Sequence, residues 1–124
     1  MTQEDKDLLL KDLCGRLPYG VKVNNEIQGK FTVYGICENF IYGRSEVCHI
    51  DFAVEKIKPY LFPMSSMTEE QKKELIELIN IGQNDNNEFM RSLCSIEFYH
   101  KNHIDYRGLI KKGLANDATG LNIY

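Results

Sequence analysis

The run FYHKNHIDYRGLI, residues 98–110, concentrates more reactive side chains than any other part of the chain. His100 and His103 stand at i, i+3, a spacing at which one helical face presents two imidazoles to a metal ion. Asp105 would complete a two-histidine, one-carboxylate ligand set. The same residues also read as helix punctuation. Asn102 is a good left-handed terminator, and Asp105 stands where a following helix needs an N-cap, accepting from the amides of Arg107 and Gly108. If the helix stops at Asn102, His103 lies beyond it and the shared face is lost, so the corner is the preferred reading. It leaves His100, Tyr106 and Arg107 without a structural task, and these become the candidate binding residues.

Three further groups bear on chemistry. Tyr34, Phe40 and Tyr42, near Lys30 and Arg44, would make a stacking platform for single-stranded nucleic acid. The preferred reading is that they cover the sheet against the N-terminal helix, since a sheet must bury one face. His49 alternates outward beside Asp51, and joining it to the two later histidines needs proximity that spacing does not supply. Cys37 has no cationic sequence neighbour to activate its thiol. The chain contains no P-loop, GxGxxG, HExxH or nucleophile elbow, so no enzyme is indicated and no cofactor is implied.

These residues are positioned by an α+β pattern. Residues 1–16 predict a helix capped by Thr2, with Leu9, Leu10 and Leu13 on its apolar stripe and Gly15 as its left-handed stop before Pro18. Residues 19–62 alternate with period two. GVKV, KFTVYGIC, a short piece at Phe40–Tyr42 and EVCHIDF predict three to four antiparallel strands, as a meander or an SH3-like half-barrel. Asn24, Asn25 and Gly29 supply the first turn. Between Pro59 and Pro63 the chain is expected to cross from sheet to helices rather than to pair. Residues 66–115 predict about three helices. The first opens at the capping box Thr68/Gln71, buries Leu75, Leu78 and Ile79, and closes at Gly82. The second restarts at Asp85 and Glu88 and carries Phe89, Met90, Leu93, Cys94 and Ile96. The third covers Tyr106 to about Leu114. Residues 116–124 are expected to be a loose tail.

The whole chain sets outer limits. Its 124 residues suit a single domain spanning 1–124. The longest apolar run is Leu8-Leu9-Leu10, which excludes a bilayer span and, with an acidic, polar start, points to the cytoplasm. Four cysteines at 14, 37, 48 and 94 have no zinc-knuckle spacing and are expected to be small buried side chains. Net charge is −3, and no segment is basic, so charge along the chain does not support nucleic acid. Folding would have to gather Lys22, Lys30, Arg44, Lys56 and Lys58 on one face to change that.

At LKDLCGRLPYGVKV, IKPYLFPMSSMTEEQKKEL and NHIDYRGLIKKGLA the chain resembles a family of small uncharacterised proteins of gut Bacteroidales, their prophages and other mobile elements. The resemblance implies an intracellular accessory role and brings no catalytic residue with it. The residues together point to a non-enzymatic module binding a protein partner or a second copy of itself. The alternatives are a nucleic-acid-associated accessory protein using the strand face and a metal-dependent enzyme at His100, His103 and Asp105. The candidate binding residues are His100, Tyr106, Arg107, Tyr34 and Tyr42, and no membrane association is expected.

Overall fold

The computed structural model describes residues 1–84 and 88–124, with side chains and burial described outside 81–91. The chain begins with α1, Gln3–Arg16, capped as its sequence implies by the Thr2 hydroxyl, which accepts from the Asp5 amide at 3.1 Å. Gly15 does not end it. The helix runs through Arg16 into a short 3-10 turn at Leu17–Tyr19, and the left-handed residue that stops it is Gly20.

Seven strands follow in one sheet among the described residues, more than the three or four expected. They are β1 (Lys22–Asn25), β2 (Gly29–Cys37), β3 (Phe40–Arg44), β4 (His49–Ala53), β5 (Ile57–Pro63), β6 (Ile104–Asp105) and β7 (Asn116–Asp117). The order is β4-β3-β2-β1-β5-β6, with β7 also on β5. The first five strands pair antiparallel, whereas β6 and β7 join β5 in parallel. The predicted meander is therefore present as β1–β4. The additional strands arise because β5 is a pairing strand despite Pro59 and Pro63. Each proline lacks only an amide, while the intervening groups stay available: Phe62 N donates to His103 O and Leu61 O accepts from Ala118 N.

Turn chemistry fixes the register. The Asn25 carboxamide accepts from the amides of Ile27 and Gln28 and donates to Lys56 O, tying the β1–β2 hairpin to the start of β5. A bulge between Val33 and Gly35 lets β2 bend, and Tyr34 stands at it. The inward face carries Val23, Phe31, Val33 and Ile41, which pack with Leu9 and Leu13 of α1 and with Leu109 and Leu114 into the main core. Gly43 is required there, because a Cβ would fall 1.9 Å from the Phe31 ring.

Two helices, not about three, follow the strands among the described residues: α2 (Glu69–Asn84) and α3 (Glu88–Lys101). The Thr68/Gln71 capping box forms in both directions, at 3.0 and 3.1 Å. Leu75 is buried and Leu78 and Ile79 half-buried, against Phe98 and Ile104. Gly82 does not close α2, which continues to Asn84. The restart at Asp85 and the side chains of Glu88, Phe89 and Met90 lie outside the described residues. Leu93 and Ile96, expected inside, are exposed, and the inward positions of α3 are Phe98 and His100.

The predicted last helix is replaced by turns. Gly108 and Gly113 take left-handed backbone that an α-helix excludes, and β6 occupies Ile104–Asp105. The tail is tied down: β7 pairs with β5, Ala118 is buried, and the Tyr124 hydroxyl donates to Tyr60 O at 2.8 Å while accepting from the Lys22 amide at 2.9 Å. Among the described residues no helix is long and apolar enough to cross a membrane.

Candidate functional site

The residues singled out in the sequence fall into two separate places, a buried polar knot between α1 and the end of α3, and the outward face of β1–β4.

The knot is organised by two charged residues of α1 to which the sequence analysis assigns no role. Asp12 and Arg16 are both 0% exposed. They occupy the i+3 and i+7 positions of the stripe that begins at Leu9, so helical spacing alone puts them on the buried face. Arg16 Nε donates to Asp12 Oδ2 at 2.8 Å, and its Nη2 donates to Asp12 Oδ1 at 3.2 Å and to Ile104 O at 2.6 Å. Nη1 donates to Tyr99 O at 3.3 Å, at the end of α3. Arg107 Nε adds a second donor to Asp12 Oδ1 at 3.2 Å. One carboxylate thus holds two guanidiniums, which is how a buried charge avoids its desolvation cost.

Tyr106 forms the floor of this knot. Its ring stacks on Tyr99 at 5.3 Å, lies under the Arg107 guanidinium at 4.9 Å and the Arg16 guanidinium at 5.6 Å, and its hydroxyl bonds His100 Nε2 at 2.8 Å. His100 in turn lies against Gly15, where a Cβ would come within 2.4 Å of the imidazole. Gly15 is therefore a close-contact residue, not a helix stop. Burial, then the Arg16 charge, hold the His100 pKa below its ordinary value. Asp12 opposes that shift and Arg107 adds to it. The imidazole is kept neutral and bonded.

The proposed ligand set of His100, His103 and Asp105 does not converge. His103, not Asn102, is the left-handed residue after α3, and its ring turns away from His100 to stack on Tyr124 at 3.6 Å. Burial, with Arg16 and Lys22 contributing, lowers its pKa to about 4. Asp105 uses both oxygens on backbone, accepting from Leu109 N and Ile110 N at 2.9 Å each, two residues beyond the amides expected. That displacement follows from Gly108, whose positive φ turns the chain before the donors are reached. Among the described residues no three His, Cys, Asp or Glu side chains are placed to hold a metal ion.

The outward sheet face is built differently. Tyr34 and Phe40 do not cover the sheet against α1, which lies on the other side with Val33 and Ile41. They are 45% and 46% exposed. Tyr42 is half-buried beside them. The Arg44 guanidinium lies 5.3 Å over the Tyr34 ring, and His49 meets the same ring edge-on at 5.8 Å. Pairing aligns Lys22, Thr32, Arg44 and His49 in one row across β1–β4. Lys30, paired with Asn24, is the next outward residue on β2, and Lys58 pairs with Asn24 from the other side. Four of the five cations that would have to gather thus do so, and Lys56 falls in a 3-10 turn instead. Asp51 is the single acid among the described outward strand residues of this face. The concentration was hidden in sequence because the five cations of residues 19–64 are matched by five acids, Glu26, Glu38, Glu46, Asp51 and Glu55. Four of those five acids lie in turns and loops outside the strands.

Cys14, Cys37 and Cys48 are exposed and Cys94 half-exposed, against the expectation of burial. Cys37 and Cys48 fall at strand ends, and Cys14 faces away from the Leu9–Leu13 stripe. No protein-family model, curated protein or solved structure matches the chain.

Proposed function

We propose that the protein binds single-stranded nucleic acid on the outward face of β1–β4. The observation that carries this reading is the coincidence of open aromatic rings with a row of cations on one face. Tyr34 is exposed under the guanidinium of Arg44, which stands in one row with Lys22 and beside Lys30, and Phe40, also exposed, stands at the other end of β3. Exposed aromatics alone are ordinary on a protein surface. Aromatics set among cations on a pleated sheet give bases a stacking surface and phosphates a counter-charge, the two terms on which sequence-tolerant single-strand binding rests. A duplex has its bases already stacked and presents no free base face to these rings.

The test is fluorescence anisotropy of labelled oligo-dT and oligo-U at low salt, where electrostatic affinity is greatest. The expected result is saturable binding that weakens steeply with salt and is lost when the oligonucleotide is annealed to its complement. Absence of binding at low salt overturns the proposal.

A protein-binding module is the second reading. It is favoured by β4, which among the described residues pairs on one edge only, and by Val47, 91% exposed, at the tip of the β3–β4 loop. A free strand edge offers backbone groups to an incoming peptide strand.

A further inference from the structure

The outward side chains are sorted by chemistry along the strand direction. At one end, Lys22, Thr32 and Arg44 form a row and Lys30 stands beside it. These side chains line a cavity of about 620 Å³ in which Glu46 is the single acid. At the other end Tyr42 faces Gly35, Phe40 faces Cys37, and Tyr34 occupies the bulge between the two zones. Asp51, the acid of this face, pairs opposite Tyr42 in the aromatic zone. Its charge repels phosphate there and leaves the cationic end as the favourable place for the backbone. Arg44 belongs to both zones, since its guanidinium lies over the Tyr34 ring. Tyr42 stands two residues from Arg44 along β3, a step of about 7 Å that a nucleotide covers between its phosphate and its base, and Phe40 stands two residues beyond Tyr42.

Resting on the single-strand reading of this face, we propose a fixed orientation for the bound chain. Its phosphodiester backbone crosses the strands over Lys22, Lys30 and Arg44, and its bases point along the strands onto Tyr34, Tyr42 and Phe40. The ligand class is a single strand with at least two consecutive unpaired bases. Lys58 stands one strand further out, where Glu26 and Glu55 line the adjoining cavity with it, and has no part in this track.

The two zones separate in a salt series. Anisotropy titrations with oligo-dT are run on Lys22→Ala, Lys30→Ala, Tyr34→Ala and Phe40→Ala. Each lysine variant is expected to flatten the slope of log affinity against log salt by about 0.7. Each aromatic variant is expected to keep the wild-type slope while losing about 5- to 150-fold in affinity at every salt concentration. Urea unfolding of all four variants checks that the fold is kept. Aromatic variants that bind like wild type, or that alter the slope while the lysine variants do not, overturn the orientation. Wild type would still bind in that case, so the failure is distinct from a failure of the single-strand reading. Photocross-linking with an oligonucleotide carrying halogenated uracil gives a second readout. Adducts are expected at Tyr34, Tyr42 or Phe40, and adducts confined to β5 or to the helices contradict the proposal.

Discussion

The knot and the open face use the same residue types for opposite ends. In the knot, Arg16, Arg107, Tyr106 and His100 turn toward one another and toward Asp12, and each makes a hydrogen bond to an internal partner. On the face, Arg44, Tyr34 and His49 touch one another only by ring contacts. Among the described residues none of these three side chains makes a hydrogen bond, and all three are exposed. A dense run of polar residues in sequence is therefore a poor guide to a site. What distinguishes the face is that, among the described residues, these side chains have no hydrogen-bond or ion-pair partner.

The comparison is broken most sharply in the knot. Asp12→Ala leaves the Arg16 guanidinium buried without its carboxylate and is expected to lower stability by about 3–5 kcal/mol, read from the urea midpoint. The double variant Asp12→Leu with Arg16→Met replaces the charges by apolar volume and is expected to recover much of that loss. An unchanged midpoint in Asp12→Ala would show that the knot holds nothing together. Gly15→Ala comes next. An alanine inside a helix ordinarily gains about 1 kcal/mol over glycine. Here its methyl must displace the His100 ring from Tyr106, so a net loss of about 1–2 kcal/mol is expected.

A pH titration of stability tests the same region without mutation. His103 has a pKa of about 4 in the folded chain against an ordinary 6.5. The unfolded chain therefore takes up the proton first as pH falls. The contribution of His103 is full above pH 6.5, declines between 6.5 and about 4, and levels off below that, with a limiting slope of about 1.4 kcal/mol per pH unit. His100, shifted in the same direction, adds to the decline. His103→Asn keeps a residue that tolerates left-handed backbone, and it should flatten the profile. On the face the expected stability effects are smallest. Tyr34→Ala and Phe40→Ala should stay within about 0.5 kcal/mol of wild type. A loss as large as that of Asp12→Ala would mean that these rings support the fold.

Local signals were legible where the chain's own chemistry decides the structure. The Thr2 cap, the Thr68/Gln71 capping box and the alternation of Phe31 and Val33 in β2 could all be read from spacing. The knot is obscured because Asp12 and Arg16 are charged, and charged side chains are seldom fully buried. Their positions on the Leu9 stripe were the signal that outranked it. The strands β6 and β7 were hidden by length. Two-residue strands have no period, and they exist only because β5 offers pairing groups from 40 or more residues away in sequence. The cationic row was hidden because registers, not runs, bring Lys22 and Arg44 together.

The most direct measurement of the central claim is an amide NMR titration with short oligo-dT. Shifts are expected to be confined to the outward residues of β1–β4, above all Lys22, Lys30, Thr32, Tyr34, Tyr42 and Arg44, with Asp12, Arg16, His100 and Tyr106 unmoved. Shifts centred on the end of α3 and the Asp105–Gly108 turn, or no shifts at saturating oligonucleotide, would contradict it.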